Sequence, residues 1–455
     1  MDRIALTDAY LDAVKKNGAS PAELLGQLPD SEFLNAFYTT RRYLCRPTFI
    51  GYEERDRLQS GVEVLRDVLV SLPDRLCGGD MAAFARAAGA TDYQVSAVAR
   101  SRGNPATRQA RADMYLDESG FKLLELNIGS ALGGMECADI CRALLEHPVL
   151  AAFAAEHSLG FADTMREQVN DTLVESGFAP GSFPMVAVTD WPTSYHNRLG
   201  AYMHMLAGRW RELGLDAHAC HVGELEYRNG RVWLHGRRVD IVARMFLLQY
   251  LLEPGAGEIL DPLIDAAARG EVALFTSLDS ELLASKMGLA MLSDDRNRHL
   301  FAPAELAAID RIVPWTRAVR PGPVTLPDGS VGELMDYAVS HAGELVIKPT
   351  MLYGGQGVVP GWQDGMTRAR WRDELAAACG GPYVLQQRIR PVPEPFPAGP
   401  GKLTPCIVTW GVFTVARGHG GIFTRAVTVE SGAQVINAFS GAGSGCCLVA
   451  QPDPR

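Results

Sequence analysis

The sequence predicts a mixed α/β fold, with helical and strand-rich parts segregated as in α+β proteins. Three observations carry that prediction. Apolar residues recur at helical spacing through the first hundred residues, short apolar strands alternate with helical stretches over 181–280, and strand-like runs dominate from Leu345 onward. A length of 455 residues leaves room for roughly three packed units. Composition shifts divide the chain into a helical region 1–104, a hairpin with helices 105–180, a small α/β unit 181–280 and a strand-rich region 281–455.

Composition also excludes some classes. A net charge of −10 argues against a general binder of nucleic acid or anionic membrane, while leaving room for a local basic pocket. No apolar run approaches the ~20 residues of a membrane-spanning helix, and MDRIALTDAYLDAVKK reads as an amphipathic helix, so a cytoplasmic location is expected. The nine cysteines fit no zinc or CxxC pattern and read as reduced thiols.

Taken in order, Leu24-Leu25-Leu28, Phe33-Phe37 and Val62-Leu65-Val68-Leu69 predict helices, punctuated by Pro47 and Pro73. Gly133-Gly134 are read as opening a helix through Ile140 and Leu144, followed by a helical stretch over 148–176. The Pro/Gly cluster 179–184 then marks a boundary. Strands at Val186–Val188, Ala217–His221 and Ile241–Phe246 alternate with helices at 195–213 and 262–268, and Asn229-Gly230 marks a hairpin turn. Ligands are expected beyond such strand ends; Tyr195 and His196 lie at one of them without an assigned role. Pro391–Pro405 reads as a loop.

The stretch RADMYLDESGFKLLELNIGSALGG (111–134) carries the first chemistry. Asp117-Glu118-Ser119-Gly120 is a turn signal between two strand-like runs. With a three-residue loop Glu118–Gly120 and Gly120 left-handed, Asp113 falls opposite Glu125 and Arg111 opposite Asn127. Two carboxylates directly across an antiparallel pair repel unless a cation lies between them. Asp113, Glu125 and Asn127 supply hard oxygens of the kind Mg²⁺ takes together with substrate phosphates. The plain alternative is a solvated polar face behind a buried Leu124, Leu126, Ile128 face.

LVIKPTMLYGGQGVVPGW is the second such stretch. Lys348 ends an apolar strand, and Gly354, Gly355 and Gly357, with Gln356 among them, form a loop whose N–H groups suit an anion. No GK[ST] follows, so it is not a Walker A loop, and no helix pattern follows for a dinucleotide fingerprint.

These residues resemble the motifs of the circularly permuted ATP-grasp ligases, similar to eukaryotic-type glutathione synthetase and glutathionylspermidine synthetase. Arg-x-Asp, hairpin, Glu-x-Asn and a Ser/Gly segment match 111–134, and Glu125 precedes Lys348 as in the permuted families. The resemblance implies an ATP-grasp fold with a small α/β substrate domain, the region 281–455 serving as ATP-binding lid and sheet. It implies ATP and Mg²⁺ as cofactors, with Asp113, Glu125 and Asn127 as metal ligands. Nucleotide contacts fall on Lys286, Lys348, the 354–357 loop, Gln386, Gln387 and Arg425. Substrate contacts fall on Ser130 and Arg244, and Arg111 would stabilise the charge of an acyl phosphate. Two departures stand out. Leu352-Tyr353 occupy the place of a metal-binding glutamate, for which Asp113 would stand in, and a lysine expected after Arg425 is missing near Val427. The implied activity is amide or peptide bond formation between a small-molecule carboxylate and an amine. No nucleic acid or membrane partner is expected, and a homodimer is a possible assembly. The alternative is a nucleotide-binding scaffold or regulator without catalysis, or a non-nucleotide α/β binding module whose hairpin acids are mere surface.

Overall fold

The computed structural model describes residues 1–18, 43–101, 109–129, 131–399, 401–433, 435–436 and 441–452. The candidate helices at 24–28 and 33–37, and Ser130, lie outside the described residues.

The strand-like runs at the two ends of the chain form one eight-stranded sheet. Its order is Thr48–Ile50, Gly443–Ala450, Gly418–Thr428, Lys402–Val415, Ala110–Asp117 and Gly120–Ile128, with Leu159–Gly160 and Glu394–Gly399 pairing alongside. The 111–128 hairpin therefore lies against Lys402–Val415, with Asp113 opposite Gly411 and Arg111 opposite Phe413. Helices Tyr52–Cys77, Cys137–Leu145 and Thr164–Glu175 pack on this sheet. The first buries Leu58, Val62, Leu65, Leu69 and Leu72 along one face, which is the 3.6-residue period seen in the sequence.

Several local expectations are corrected. Thr48–Ile50 is a strand inside the region read as helical, parallel to Gly443–Ala450; three residues are too few to leave a periodic signature. Pro73 does not end its helix but lies in the last turns before Gly78. Gly133-Gly134 do not open the next helix, which starts at Cys137. Gly134 has φ +89°, and a Cβ there would meet the Phe423 ring at 2.5 Å, so the glycine serves a close turn against the sheet. The 148–176 stretch breaks into two helices around Leu159–Gly160. The Pro391–Pro405 segment is a hairpin arm, with Phe396 opposite Thr404.

The 181–280 region forms a four-stranded parallel sheet in the order Ala273–Phe275, Ile241–Arg244, Met185–Asp190 and Asp216–His221. Met185–Asp190 is buried throughout, as a strand covered on both faces must be. Asn229 and Gly230 both have positive φ, +54° and +65°, the geometry of the hairpin turn their sequence signals.

A third, antiparallel sheet runs Thr316–Ala318, Tyr383–Gln387, Leu345–Pro349 and Val359–Pro360. Helices Leu334–Ser340 and Arg368–Ala378 belong to this unit; the latter falls inside the region read as strand-dominated. Leu345, Ile347, Trp371, Leu375 and Leu385 give it an apolar core separate from the main one. Among the described residues no helix is long and apolar enough to cross a membrane, and all nine cysteines are free thiols.

Candidate active site

The hairpin reaches its expected register by an unexpected route. Asp113 is opposite Glu125 and Arg111 opposite Asn127, but Asp117 pairs with Gly120 across a two-residue turn. Gly120 has the expected positive φ, +121°, and the Asp117 carboxylate accepts the Ser119 N–H at 2.8 Å. The ladder shifts between Asp113 and Met114, leaving Leu124 as a bulge that restores the register at the acidic pair. Burial follows the bulge: Leu123 and Leu126 are buried away from the cavity, while Leu124 lines it.

That cavity, about 240 Å³, lies where the hairpin, the third sheet and the ends of the parallel sheet meet. Arg111, Asp113, Glu125, Asn127, Arg244, Lys286, Lys348, Gly354, Gly355, Gln386, Gln387 and Arg425 all line it. The structure thus gathers residues that span more than 300 positions of sequence. Gln356 and Gly357 belong to the same loop but do not face the cavity.

Each acid in the wall has a cation. Arg111 grips both oxygens of Asp113 at 2.7 and 2.9 Å and donates to the Gly133 carbonyl. Arg425 Nη2 donates to the same carboxylate at 2.9 Å. Burial disfavours ionisation of Asp113, but the two guanidinium groups outweigh it and hold its pKa below the ordinary value. Glu125 behaves alike: burial opposes its charge, and Lys286, at 2.8 Å, with Lys348 farther off, lowers its pKa. Lys286 also donates to the Leu352 carbonyl at 3.0 Å, tying the acidic face to the glycine loop.

Lys348 is held by neutral groups. Its Nζ donates to Gln386 Oε1 at 2.6 Å and to the carbonyl of the bulged Leu124 at 3.1 Å. Burial lowers its pKa to about 8, Glu125 working against the shift and Lys286 with it. Gln386 in turn donates to Thr316 Oγ1 at 3.3 Å, so its side chain positions the lysine. Around the acidic pair, Arg111, Arg425, Lys286 and Lys348 bring four positive charges against the two of Asp113 and Glu125, a net of +2 that suits an anion.

Arg244 has a different occupation. Its guanidinium donates to the carbonyls of Thr276, Phe246 and Ser277, to Ser280 Oγ and to Glu281. The other oxygen of Glu281 accepts from Leu248 N–H at 2.9 Å and the Tyr353 hydroxyl at 3.0 Å. Burial, then Glu281, pushes the Tyr353 phenol far up, so it stays a neutral donor. Arg244 therefore lines the cavity as the anchor of a buried network that also pins the start of the glycine loop. Glu281 and Tyr353 are the residues missed in the sequence, since no local pattern joins positions 72 apart.

Whether this wall fits Mg²⁺ depends on its free oxygens. Among the described residues no three His, Cys, Asp or Glu side chains converge as a preformed cage. Mg²⁺ ordinarily needs only one or two protein ligands plus substrate phosphates and water. Glu125 and Asn127 fit that role: they are two apart on one strand and both line the cavity, with Asn127 offering its amide oxygen to an ion, while its buried, unpartnered Nδ2 donor suits a phosphate oxygen beside it. Asp113 fits it less, because two arginines already occupy its oxygens.

No protein-family model matches the chain, and no curated protein does. Among solved structures it is similar to a glutathione synthetase-like effector from Globodera pallida in its apo form, with a TM-score of 0.54, 13% identity, and 98% of this chain and 97% of that chain covered. That likeness shows the fold. The chain shares the mixed α/β fold of that glutathione synthetase-like protein. A gamma-glutamylcysteine synthetase candidate from Methylobacillus flagellatus is also similar, with a TM-score of 0.38, 12% identity, and 80% and 82% of the two chains covered; at that score it carries no argument.

Proposed function

We propose that this protein is an ATP- and Mg²⁺-dependent carboxylate–amine ligase of the circularly permuted ATP-grasp kind, forming an amide or peptide bond on a small molecule. The observation that carries this reading is the facing of Glu125 and Asn127 by Lys286, Lys348 and the Gly354-Gly355 loop across one cavity. A cluster of net +2 around the acidic pair that also holds two hard-oxygen donors suits a nucleotide triphosphate bound with a divalent cation, better than either alone.

ATP is a substrate here and supplies the phosphoryl group that turns a carboxylate into an acyl phosphate, which an amine then displaces. Mg²⁺, held by Glu125 and Asn127, would neutralise charge between the phosphates and the acidic face. Lys286 and Lys348 bind phosphate oxygens, and the glycine loop closes over them with its N–H groups. Arg111 and Arg425, fixed by Asp113, oppose the negative charge that develops on the acyl group. Arg244, through Glu281 and Tyr353, holds the loop where it meets the parallel sheet.

The test is ADP release across amino acids, dipeptides, polyamines and simple carboxylic acids, with mass spectrometry of the product. An enzyme loses turnover on Glu125→Ala. A second reading, a nucleotide-binding scaffold or regulator, is favoured by one observation: Asp113 and Glu125 are already neutralised by protein cations. The structure it resembles is moreover called an effector. A scaffold would release no ADP with any pair and would keep its partner in the Glu125→Ala variant.

A further inference from the structure

The cavity lining mixes charged and apolar residues. Toward the third sheet, Leu124, Val346, Pro360 and Trp362 flank Lys348 and Gln386. The lining also includes the apolar Ile128, Leu132, Leu247 and Ala284, together with the Arg244–Glu281 pair that belongs to the parallel sheet and the turn after it. Gly129 also lines the cavity: a Cβ there would meet Ser280 Oγ at 3.7 Å and Thr276 Oγ1 at 3.9 Å, so the hairpin exit packs on the 276–281 turn.

An amino acid or peptide entering this cavity would bring an α-ammonium group, for which a carboxylate is the strongest partner once water is stripped away. Among the described residues the wall has none to spare. Asp113 is matched by Arg111 and Arg425, Glu125 by Lys286, and Glu281 by Arg244 with Tyr353. A carboxylate is provided for: the two guanidinium groups around Asp113 exceed its charge by one, and Arg425 Nε is buried with no partner. Ile128, Leu132 and Leu247 add aliphatic surface to the same lining.

We propose, on the ligase reading above, that the acid activated here is a carboxylic acid with an apolar body and no α-ammonium group. Its carboxylate faces Arg111 and Arg425, and its body packs on Ile128, Leu132 and Leu247. In the activation step a carboxylate oxygen bonds to the γ-phosphorus of ATP while the bond to the β,γ-bridging oxygen breaks, releasing ADP. With hydroxylamine as the amine, its nitrogen bonds to the acyl carbon, inorganic phosphate leaves, and the proton lost from nitrogen passes to phosphate.

The experiment is hydroxamate formation by the full chain with Mg-ATP, hydroxylamine and matched acids that differ only in the ammonium group: hexanoate against 2-aminohexanoate, phenylacetate against phenylglycine. The expected result is a kcat/KM at least about tenfold higher for the acids without the ammonium group. Leu247→Asp, which supplies a counter-ion, is expected to shift that ratio at least about tenfold toward 2-aminohexanoate; a cooperative thermal melt like that of the wild type shows that the variant is folded. Preference of the wild-type chain for the amino acids overturns the inference and leaves the ligase reading standing. Absence of hydroxamate from every acid overturns both.

Discussion

Lys286 Nζ lies 2.8 Å from Glu125 Oε2, so a lysine from beyond the parallel sheet supplies the positive charge that the hairpin acids require. In the same position it bonds the Leu352 carbonyl, which makes it a link between the acidic face and the glycine loop. Lys286→Met should therefore leave Glu125 without its cation and the loop without its tether. Loss of one partner of such a largely buried pair costs about 3–5 kcal/mol, and turnover should fall on the order of a hundredfold. Adding Glu125→Gln should recover most of the stability and none of the activity. Thermal melts and ADP release on the single and double variants check both halves. Activity surviving in either variant would remove the pair from the chemistry.

Lys348 gives a pH dependence with a definite sign. Its folded pKa, about 8, lies below the unfolded value of ~10.4. Between these values the unfolded chain binds more protons, so this group's contribution to stability rises with pH across that window. Nucleotide binding moves the other way. The charged form that attracts phosphate is lost above about pH 8, so the affinity of the free protein for Mg-ATP should weaken there. Lys348→Arg should abolish that alkaline limb in binding titrations at pH 7 to 9.5.

Gly411, opposite Asp113 in the ladder, leaves room for the stem of Arg111. A Cβ at this position would meet Arg111 Cδ at 3.0 Å and the Phe423 carbonyl at 3.2 Å. Gly411→Ala should push Arg111 from its two-oxygen grip on Asp113 and lower kcat about tenfold or more, since small misplacements of a charged group are costly. The melting temperature should change by only a few degrees. Kinetics alongside a melt distinguish this from general unfolding.

Trp371 is fully buried at the centre of the separate core of the third sheet, and its Nε1–H donates to the Ala338 carbonyl at 2.8 Å. Trp371→Ala should cost about 3–5 kcal/mol, taken mainly from this unit because its core is distinct. Hydrogen exchange should rise over residues 316–387 before it rises in the central sheet, and the KM for ATP should increase. Uniform loss of protection along the chain would show that the two cores unfold together.

The candidate site was legible in the sequence to the extent that its geometry is local. The period of two along a strand put Asp113 across from Glu125 and Arg111 across from Asn127, and both pairings hold. The turn is one residue shorter than its sequence suggests, and a bulge at Leu124 compensates for it. Bulges leave no reliable signature, because the extra residue can be of any type. The apolar character of Leu345–Pro349 likewise identified the strand that delivers Lys348.

The kinds of groups present and their order are written in the chain: two acids and an amide on one hairpin, then two lysines and a glycine loop far along it. Only the tertiary structure decided which of them meet. That Lys402–Val415 lies against the hairpin, that Lys286 rather than a free ion balances Glu125, and that Arg244 is spent on Glu281 and Tyr353 are long-range contacts. The physical reason is that periodicity records which face of an element is buried, whereas the partner of a buried charge is chosen by the packing of whole sheets. Desolvation then makes that choice matter, because an acid buried without its cation would not stay ionised.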